Sequence, residues 1–265
     1  MKIGISSWAF PWAIGVAGYP QPEKPMGAMA LLERAIEASA QVLQIADNLP
    51  LHTLLPGEVK ELAMAAKHDG IALEVGTRGL NPQNLLRYLD FANLIGSSIV
   101  RTLPHDGSDR PNFAEALNCL HQVRKAYETA GVTLAIENHD FYASVWLKEL
   151  IEAASSPYIG VCLDTVNNLG LGESFREVIG NLGRYTVNFH CKDYIIARKP
   201  TMLGFDVVGC PSGKGMLDYA LARRLLNDDI SWIVELWLPW QGNLTCTLKS
   251  EEEWLYESIS YLRLI

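Results

Sequence analysis

The chain has 265 residues, of which 49% are hydrophobic, and its formal net charge is −8 at neutral pH. A chain of this size and apolar content can bury a large core, whereas its acidic balance argues against a nucleic-acid partner, which requires a basic surface. No apolar run reaches the length that crosses a membrane.

The first half of the chain alternates short apolar runs with amphipathic stretches. Strands are predicted from apolar runs at positions 2–6, 42–45, 72–75 and 98–103. Helices are predicted from apolar residues at helical spacing, with capping residues at their ends, at positions 28–40, 56–68, 82–95 and 112–130. Positions 9–25 form a loop rich in Pro, Gly and aromatic residues, whose length is typical of a lid or a binding loop.

The second half of the chain continues the alternation. Strands are predicted at positions 133–137, 159–164, 186–190 and 231–235. Helices are predicted at positions 143–154, from position 174, at 217–226 and at 251–264. A second long loop, rich in Pro and Gly, is predicted at positions 193–215.

Eight strands that alternate with eight helices predict parallel strands with the helices outside. At this chain length the pattern favours an α/β fold of the closed (β/α)8 TIM-barrel type over an open doubly wound sheet. No G-x-G-x-x-G motif follows the first strand, so a dinucleotide site is not expected. No linker or change in composition divides the chain, and we expect residues 1–265 to form a single domain.

The five cysteines are dispersed and include no C-x-x-C pair. This distribution is typical of reduced thiols in a cytosolic protein and not of a disulfide framework. The sequence opens directly on a strand pattern, without a basic segment followed by an apolar one. We therefore expect no secretory signal and a cytoplasmic location.

Four consecutive predicted strands each end on a side chain that can bind a metal: Glu137, Asp164, His190 and Glu235. The C-terminal ends of barrel strands share one face, so these side chains are expected to point into one bowl. Three carboxylates would repel one another there, but together with an imidazole they suit one divalent ion, either Mn2+, Mg2+, Co2+ or Zn2+. Each residue alone could be a helix cap or a turn residue, so the prediction depends on the set of four.

Four segments carry a family resemblance: AIENH (135–139), VCLDTVN (161–167), NFHCKD (188–193) and IVELW (233–237). They resemble the xylose-isomerase-like TIM-barrel superfamily of sugar phosphate isomerases and epimerases. The resemblance implies that the four residues above bind one divalent ion and that Glu137 and Glu235 also exchange protons with the substrate carbon. A metal stabilises the enediolate while carboxylates take and return the proton. The first hypothesis is therefore a metal-dependent isomerase or epimerase of a small sugar or sugar derivative.

Two positions depart from the family pattern. Asn167 stands where many of the epimerases have His, and Ala143 stands where they often have Glu, which puts simple ketose 3-epimerisation in doubt. The opening SSWAFPWAIGVAGYP looks like the family's 3-oxo-isoapionate decarboxylase group. A metal-dependent decarboxylase of a 3-oxo sugar acid is therefore the alternative, because the enolate left by loss of CO2 needs metal stabilisation but not two opposed bases.

Six further residues are expected to contact the substrate: Trp8, Arg101, His139, Asn167, Lys192 and Trp237. Among them Arg101 is the most informative, because an arginine in a buried strand needs an anionic partner. That partner could be Glu74 or Asp47. It could equally be a carboxylate or phosphate of the substrate, since a guanidinium fork fits both, and Arg78 could assist.

The other contacts have structural alternatives. His139 could brace the strand tip, and Lys192 could form an ion pair with Asp193. Trp8 and Trp237 could pack against the barrel rim or form a subunit contact, which leaves a homo-oligomer open.

Two other classes of protein receive less support. An abasic-site endonuclease shares the fold family but needs a His-rich multi-zinc cluster and a basic groove, and this chain has six His and an acidic balance. A non-catalytic sugar-binding barrel would be favoured if the four ligands pointed apart. Neither nucleic acid nor a membrane is expected as a partner.

Overall fold

The computed structural model describes residues 1–265 and contains a closed barrel of eight parallel strands. In chain order the strands are β1 (Lys2–Ser6), β2 (Val42–Ile45), β3 (Ala72–Arg78), β4 (Ile99–Leu103), β5 (Thr133–Glu137), β6 (Ile159–Asp164), β7 (Thr186–Cys191), β8 (Asp193–Arg198), β9 (Phe205–Cys210) and β10 (Ser231–Val234). Strands β1 to β7 and β10 form the barrel, and β10 closes it against β1 with Ser231 opposite Lys2. The predicted (β/α)8 TIM barrel is confirmed.

The helices alternate with the barrel strands. They are α1 (Pro11–Ile14), α2 (Ala28–Glu37), α3 (Pro56–His68), α4 (Pro82–Ile95), α5 (Phe113–Ala130), α6 (Ser144–Ala154), α7 (Phe175–Leu182), α8 (Tyr219–Leu225) and α9 (Leu244–Leu262). Side-chain caps set several of their starts. The Asn81 side chain accepts the N–H groups of Gln83 and Asn84 before α4, and Asn112 caps α5 in the same way.

Three predictions of local structure were wrong. The second long loop contains an antiparallel hairpin, β8 paired with β9, because its two ends alternate strand-forming residues around a Pro- and Gly-containing turn. The last helix begins at Leu244, seven residues before the predicted start at Glu251, because the Asn243 side chain caps it by accepting the N–H of Cys246. Strand β3 also runs three residues beyond its predicted end, through Arg78.

All five cysteines are free thiols in the structure. No helix combines the length and the apolar content that a membrane span requires.

The barrel interior contains a layer of buried polar side chains: Gln44, Glu74, Asn188 and Ser231. Two amides, Gln44 and Asn188, donate hydrogen bonds to one oxygen of Glu74 at 3.0 and 2.7 Å, and the Ser231 hydroxyl donates to the other at 2.5 Å. The main apolar core includes the helix faces that pack on the strands, such as Leu62, Leu85 and Leu120. The polar layer therefore lies inside the barrel, below the strand tips.

The first loop is fastened to the last helix by a buried carboxylate. Glu251 of α9 accepts the backbone N–H groups of Trp12 at 2.6 Å and Ala13 at 2.9 Å. Trp12 also packs against Tyr19 and Trp240, with ring centroids 4.9 and 5.3 Å away. The loops after β1 and β10 are thus in contact, next to the place where these two strands pair and close the barrel.

Glu251 is expected to make stability depend on pH. Burial raises the pKa of Glu251 to about 8, against the partial compensation of the Trp12 and Ala13 N–H groups. Between pH ~4.5 and 8 the unfolded chain has lost this proton while the folded chain keeps it, so the free energy of unfolding should fall by a few kcal/mol as pH rises through that window. Glu251→Gln should remove this fall in chemical denaturation at pH 5, 6.5 and 8.

An exposed glutamate of the same helix provides the matched control. Glu257→Gln should leave the slope of stability against pH unchanged, because Glu257 is exposed and is not among the charges that act on Glu251. An equal slope in wild type and Glu251→Gln would contradict the assignment.

Candidate metal centre

The four predicted metal ligands converge at the C-terminal face of the barrel. His190 Nδ1 lies 3.3 Å from Glu137 Oε2, 3.4 Å from Glu235 Oε1 and 3.9 Å from Asp164 Oδ2. All four side chains are buried. Parallel pairing explains the approach, because Asp164 of β6 lies opposite His190 of β7 in the strand register. Asp164, His190 and Glu235 form one group of metal-competent atoms, and Glu137, Cys162 and His190 form another that shares the imidazole.

The donor atoms of the four side chains are of the kind that binds a divalent cation. His190 Nδ1 and Glu235 Oε1 are buried and have no hydrogen-bond partner. Such atoms are costly in a protein interior unless another group binds them. The Lys192 ammonium pairs with the neighbouring Asp164 Oδ2 and Glu235 Oε2, at 2.7 and 2.8 Å.

The net charge of the site also favours a divalent cation. Five carboxylates and three cationic side chains lie in the cavity and its floor: Asp47, Glu137, Asp140, Asp164 and Glu235 against Arg78, Arg101 and Lys192. The excess of two negative charges equals the charge of one divalent ion. A hard or borderline ion suits an oxygen-rich set with a single imidazole.

The polar layer below fixes the orientation and tautomer of the His190 imidazole. Gln44 Nε2 donates to Glu74 at 3.0 Å and to Asn188 Oδ1 at 3.1 Å, so its Oε1 is the acceptor that faces His190 Nε2 at 2.8 Å. His190 must then carry its proton on Nε2, which leaves the Nδ1 lone pair directed at the three carboxylates. A partner of this kind orients a ligand imidazole and sets its tautomer.

Gln44→Leu is expected to weaken metal binding. Without the acceptor, the tautomer and ring orientation of His190 are no longer fixed, and loss of such a partner typically costs about 10- to 100-fold in metal affinity. Calorimetric titration of metal-stripped protein with Mn2+ or Co2+ would measure the change. Ser231→Ala, which removes a hydrogen bond of the same polar layer to Glu74 but leaves the His190 acceptor, should retain affinity, and unchanged affinity in Gln44→Leu would contradict the tautomer assignment.

Arg101 is enclosed by acids of the protein. Its Nε donates to Glu137 Oε2, and its Nη1 donates to Asp47 Oδ1 at 2.6 Å and to the Thr77 carbonyl at 3.3 Å. Of the two structural partners considered from the sequence, Asp47 is confirmed, whereas Glu74 contacts only the polar layer. Although burial opposes its charge, Glu137 and Asp47 raise the pKa of the Arg101 guanidinium.

Lys192 is held in place by two of the four candidate metal ligands, Asp164 and Glu235. Burial disfavours its charge, but Asp164 and Glu235 outweigh that effect and raise the pKa of its ammonium. The suggested pairing with Asp193 is absent. Asp193 instead accepts four backbone N–H groups, among them those of Gly213, Gly215 and Leu217, and so fastens the hairpin loop to the barrel.

The two glutamates of the set have different surroundings. Glu137 Oε1 accepts a hydrogen bond from Asn167 Nδ2 at 2.8 Å, while its Oε2 faces Arg101. Burial favours the neutral form of Glu235, but the charges of Lys192 and Arg101 act against it and lower its pKa below the ordinary value. Both carboxylates therefore lie against cations or hydrogen-bond donors of the protein.

A cavity of about 560 Å3 opens above the metal-competent group. The six residues predicted to contact the substrate all line it, with Glu137 and Glu235: Trp8, Arg101, His139, Asn167, Lys192 and Trp237. Asp164 and His190 lie beneath its floor. The cavity is large enough for a small sugar derivative, and its tryptophans offer apolar faces to sugar C–H groups.

His139 is held by a second histidine that the sequence did not single out. His105 Nε2 lies 3.2 Å from His139 Nδ1, and His105 Nδ1 is buried without a partner. Burial, with His139 next, lowers the pKa of His105 to about 4, so the His105 ring is neutral. An orphaned lone pair is more easily tolerated than an orphaned N–H, so His105 donates from Nε2 to His139 Nδ1.

Other site residues were also missed at the sequence level. Gln44 and Asn188 were read as parts of apolar strands, although a lone polar residue in the middle of a buried run is itself a signal of a polar layer. Asp140 and Val207 line the cavity from loop and hairpin positions whose placement depends on the tertiary fold.

Comparison with known proteins gives consistent matches over most of the chain. A family model described as xylose isomerase-like TIM barrel matches residues 49–265. A 3-oxo-isoapionate decarboxylase of Pectobacterium atrosepticum is 34% identical over 265 residues, which cover 99% of this chain and 95% of the relative.

Solved structures share the fold at low sequence identity. A D-psicose 3-epimerase crystallised in the presence of D-fructose superposes with a TM-score of 0.73 at 16% identity and covers 100% of this chain and 99% of its own. The IolI protein with a bound zinc atom has a TM-score of 0.70 at 14% identity and covers 98% and 99%. At these identities the likeness supports the barrel fold alone.

Proposed function

The chain belongs to the xylose isomerase-like TIM-barrel family, and from that premise we propose that it is a divalent-metal-dependent decarboxylase of a 3-oxo sugar acid. The observation that carries the proposal is the cavity over Asp164, His190 and Glu235, where the buried His190 Nδ1 and Glu235 Oε1 atoms lack partners. The decarboxylase relative, similar along almost the whole chain, supports the same reaction class. A location in the cytoplasm is part of this proposal.

The residues of the chain divide the work of such a reaction. Asp164, His190, Glu235 and Glu137 would hold the ion, which supplies a Lewis acid to the ketone oxygen of the substrate. The Lys192 ammonium, directed at the same floor, stabilises negative charge that develops on that oxygen. Trp8 and Trp237 cover the sugar and exclude water.

The chemistry balances without a redox cofactor. The bond between the carboxylate carbon and its neighbour breaks, its electron pair forms the enolate, and CO2 leaves. A proton then adds to the carbon that carried the carboxylate, which gives a neutral ketose. No base has to remove a proton from carbon, in agreement with the donors and cations around both glutamates.

A metal-dependent sugar isomerase or epimerase is the second candidate. One observation favours it: Glu137 and Glu235 line the same cavity and could face a substrate carbon from two sides. That reaction would require at least one of them to act as a base on carbon through an enediolate.

Isotope incorporation separates the two candidates. A coupled CO2 assay with a 3-oxo sugar acid should give product only with added metal, lose it in EDTA, and recover it with Mn2+, Mg2+, Co2+ or Zn2+. In D2O the decarboxylation product should carry one deuterium, at the carbon that lost CO2. Metal-dependent deuterium exchange into neutral ketoses, without CO2 release from any 3-oxo acid, would instead establish the isomerase.

A further inference from the structure

We propose that Arg78 is the residue that recognises the carboxylate of the substrate, an inference that rests on the proposed decarboxylation. It is one of three cationic side chains that line the cavity, with Arg101 and Lys192. The three cations differ in how far protein carboxylates already neutralise them. That difference decides which of them can bind an acid group brought by a ligand.

Arg101 and Lys192 are both committed to acids of the site. The Arg101 side chain is 3% exposed and bridges Asp47 and Glu137. The Lys192 side chain is 9% exposed and lies within 2.8 Å of both Asp164 and Glu235. A substrate carboxylate at either cation would meet two protein carboxylates at close range, which repel it.

Arg78 is held in place but has donors to spare. It is the last residue of β3, and its side chain is 42% exposed. Its Nε and Nη2 atoms both bind one oxygen, Asp47 Oδ2, at 2.9 and 2.6 Å. Its Nη1 atom has no partner in the protein, so the guanidinium offers a free edge at the cavity wall.

Asp47 itself is restrained from several sides. Trp8 Nε1 donates to Asp47 Oδ1 at 3.2 Å, and Arg101 Nη1 donates to the same oxygen at 2.6 Å. The Asp47 charge is thus shared by two guanidinium groups, which leaves Arg78 net positive. A preorganised fork of this kind matches a carboxylate at low entropic cost.

The chemistry predicts which kinetic constant Arg78 controls. Loss of CO2 moves negative charge from the carboxylate to the ketone oxygen, so a cation at the carboxylate binds the substrate more tightly than the transition state. Arg78 is therefore expected to lower KM and not to raise kcat. The neutral product retains no group for Arg78, which aids its release.

Two matched ligands test the assignment: D-xylonate, which lacks a 3-oxo group and cannot lose CO2 by this route, and its neutral counterpart xylitol. In calorimetry with Mn2+ present, Arg78→Gln should weaken xylonate binding about 10- to 100-fold, the usual effect of losing a charge-assisted hydrogen bond. Xylitol binding should stay within about twofold of wild type. With a 3-oxo acid substrate, KM should rise by a similar factor, and kcat should not fall.

The control removes an equal charge outside the cavity. Arg110 is exposed and stacks on Phe141, with its guanidinium carbon 3.4 Å from the ring centroid, so Arg110→Gln should change neither affinity. Equal loss of xylonate and xylitol binding in Arg78→Gln would show that Arg78 only positions Asp47 and would overturn the inference, as would no loss at all. Wild-type protein that binds xylitol but not xylonate would overturn the acid substrate class, and with it the proposed function.

Discussion

Asp164→Asn is expected to abolish metal binding and to lower turnover about 1,000-fold or more, as loss of a Lewis acid worth several kcal/mol implies. The substitution changes a single atom. Asp164 Oδ1 accepts the N–H groups of Val166 and Asn167, both at 2.9 Å, and an amide oxygen can keep both bonds. The other oxygen, which faces His190 and Lys192, becomes an NH2 group that cannot bind a cation.

Stability distinguishes a lost ligand from a damaged fold. Without metal, Asp164→Asn should be about as stable as wild type, because the change removes one of several crowded carboxylates. With saturating metal only wild type should gain stability, through binding to the folded state alone. Asp90→Asn, the same change at an exposed position of α4, should alter neither activity nor metal response. Full activity in metal-saturated Asp164→Asn would refute the assignment of this ligand.

The strand tips were predictable from the sequence because one physical rule governs them. A buried parallel strand tolerates few polar residues except where it ends, so TLAIE, IGVCLD, TVNFH and SWIVE marked both the barrel and its bowl. The topology then converts positions far apart in the chain into neighbours. Convergence of Glu137, Asp164, His190 and Glu235 follows from the fold class alone.

The polar partners could not be predicted in the same way, because they depend on register and close approach. Arg101 lies opposite Gly76 in the β3–β4 pairing, and a Cβ at Gly76 would be 2.9 Å from the Ala46 backbone and 3.4 Å from the Arg101 side chain. Gly76 is therefore required chiefly by the close approach of Ala46, the residue before Asp47, and it packs beside the Arg101 side chain that reaches Asp47. The route from Glu74 through Gln44 to His190 similarly spans three strands that are distant in sequence.

Arg101→Met is expected to destabilise the protein by about 3–5 kcal/mol, the usual result of removing one partner from a buried ionic group. Methionine fills much of the volume but leaves Asp47 and Glu137 without their shared cation. Burial raises the pKa of Asp47, and Arg101 followed by Arg78 keep it below its ordinary value. Loss of Arg101 removes the larger of the two cationic effects that keep the Asp47 pKa low.

A double-mutant cycle tests this reading of Arg101. Because the damage comes from an uncompensated acid, Asp47→Asn added to Arg101→Met should restore part of the lost free energy of unfolding, measured by urea denaturation, so that the two changes are not additive. Arg101→Lys, which keeps the charge but cannot bridge two carboxylates as a fork, should fall between wild type and Arg101→Met. Additive costs in the double variant would mean that Arg101 acts by packing alone. In that case its enclosure by acids would no longer explain why Arg78 is the cation left free for a ligand.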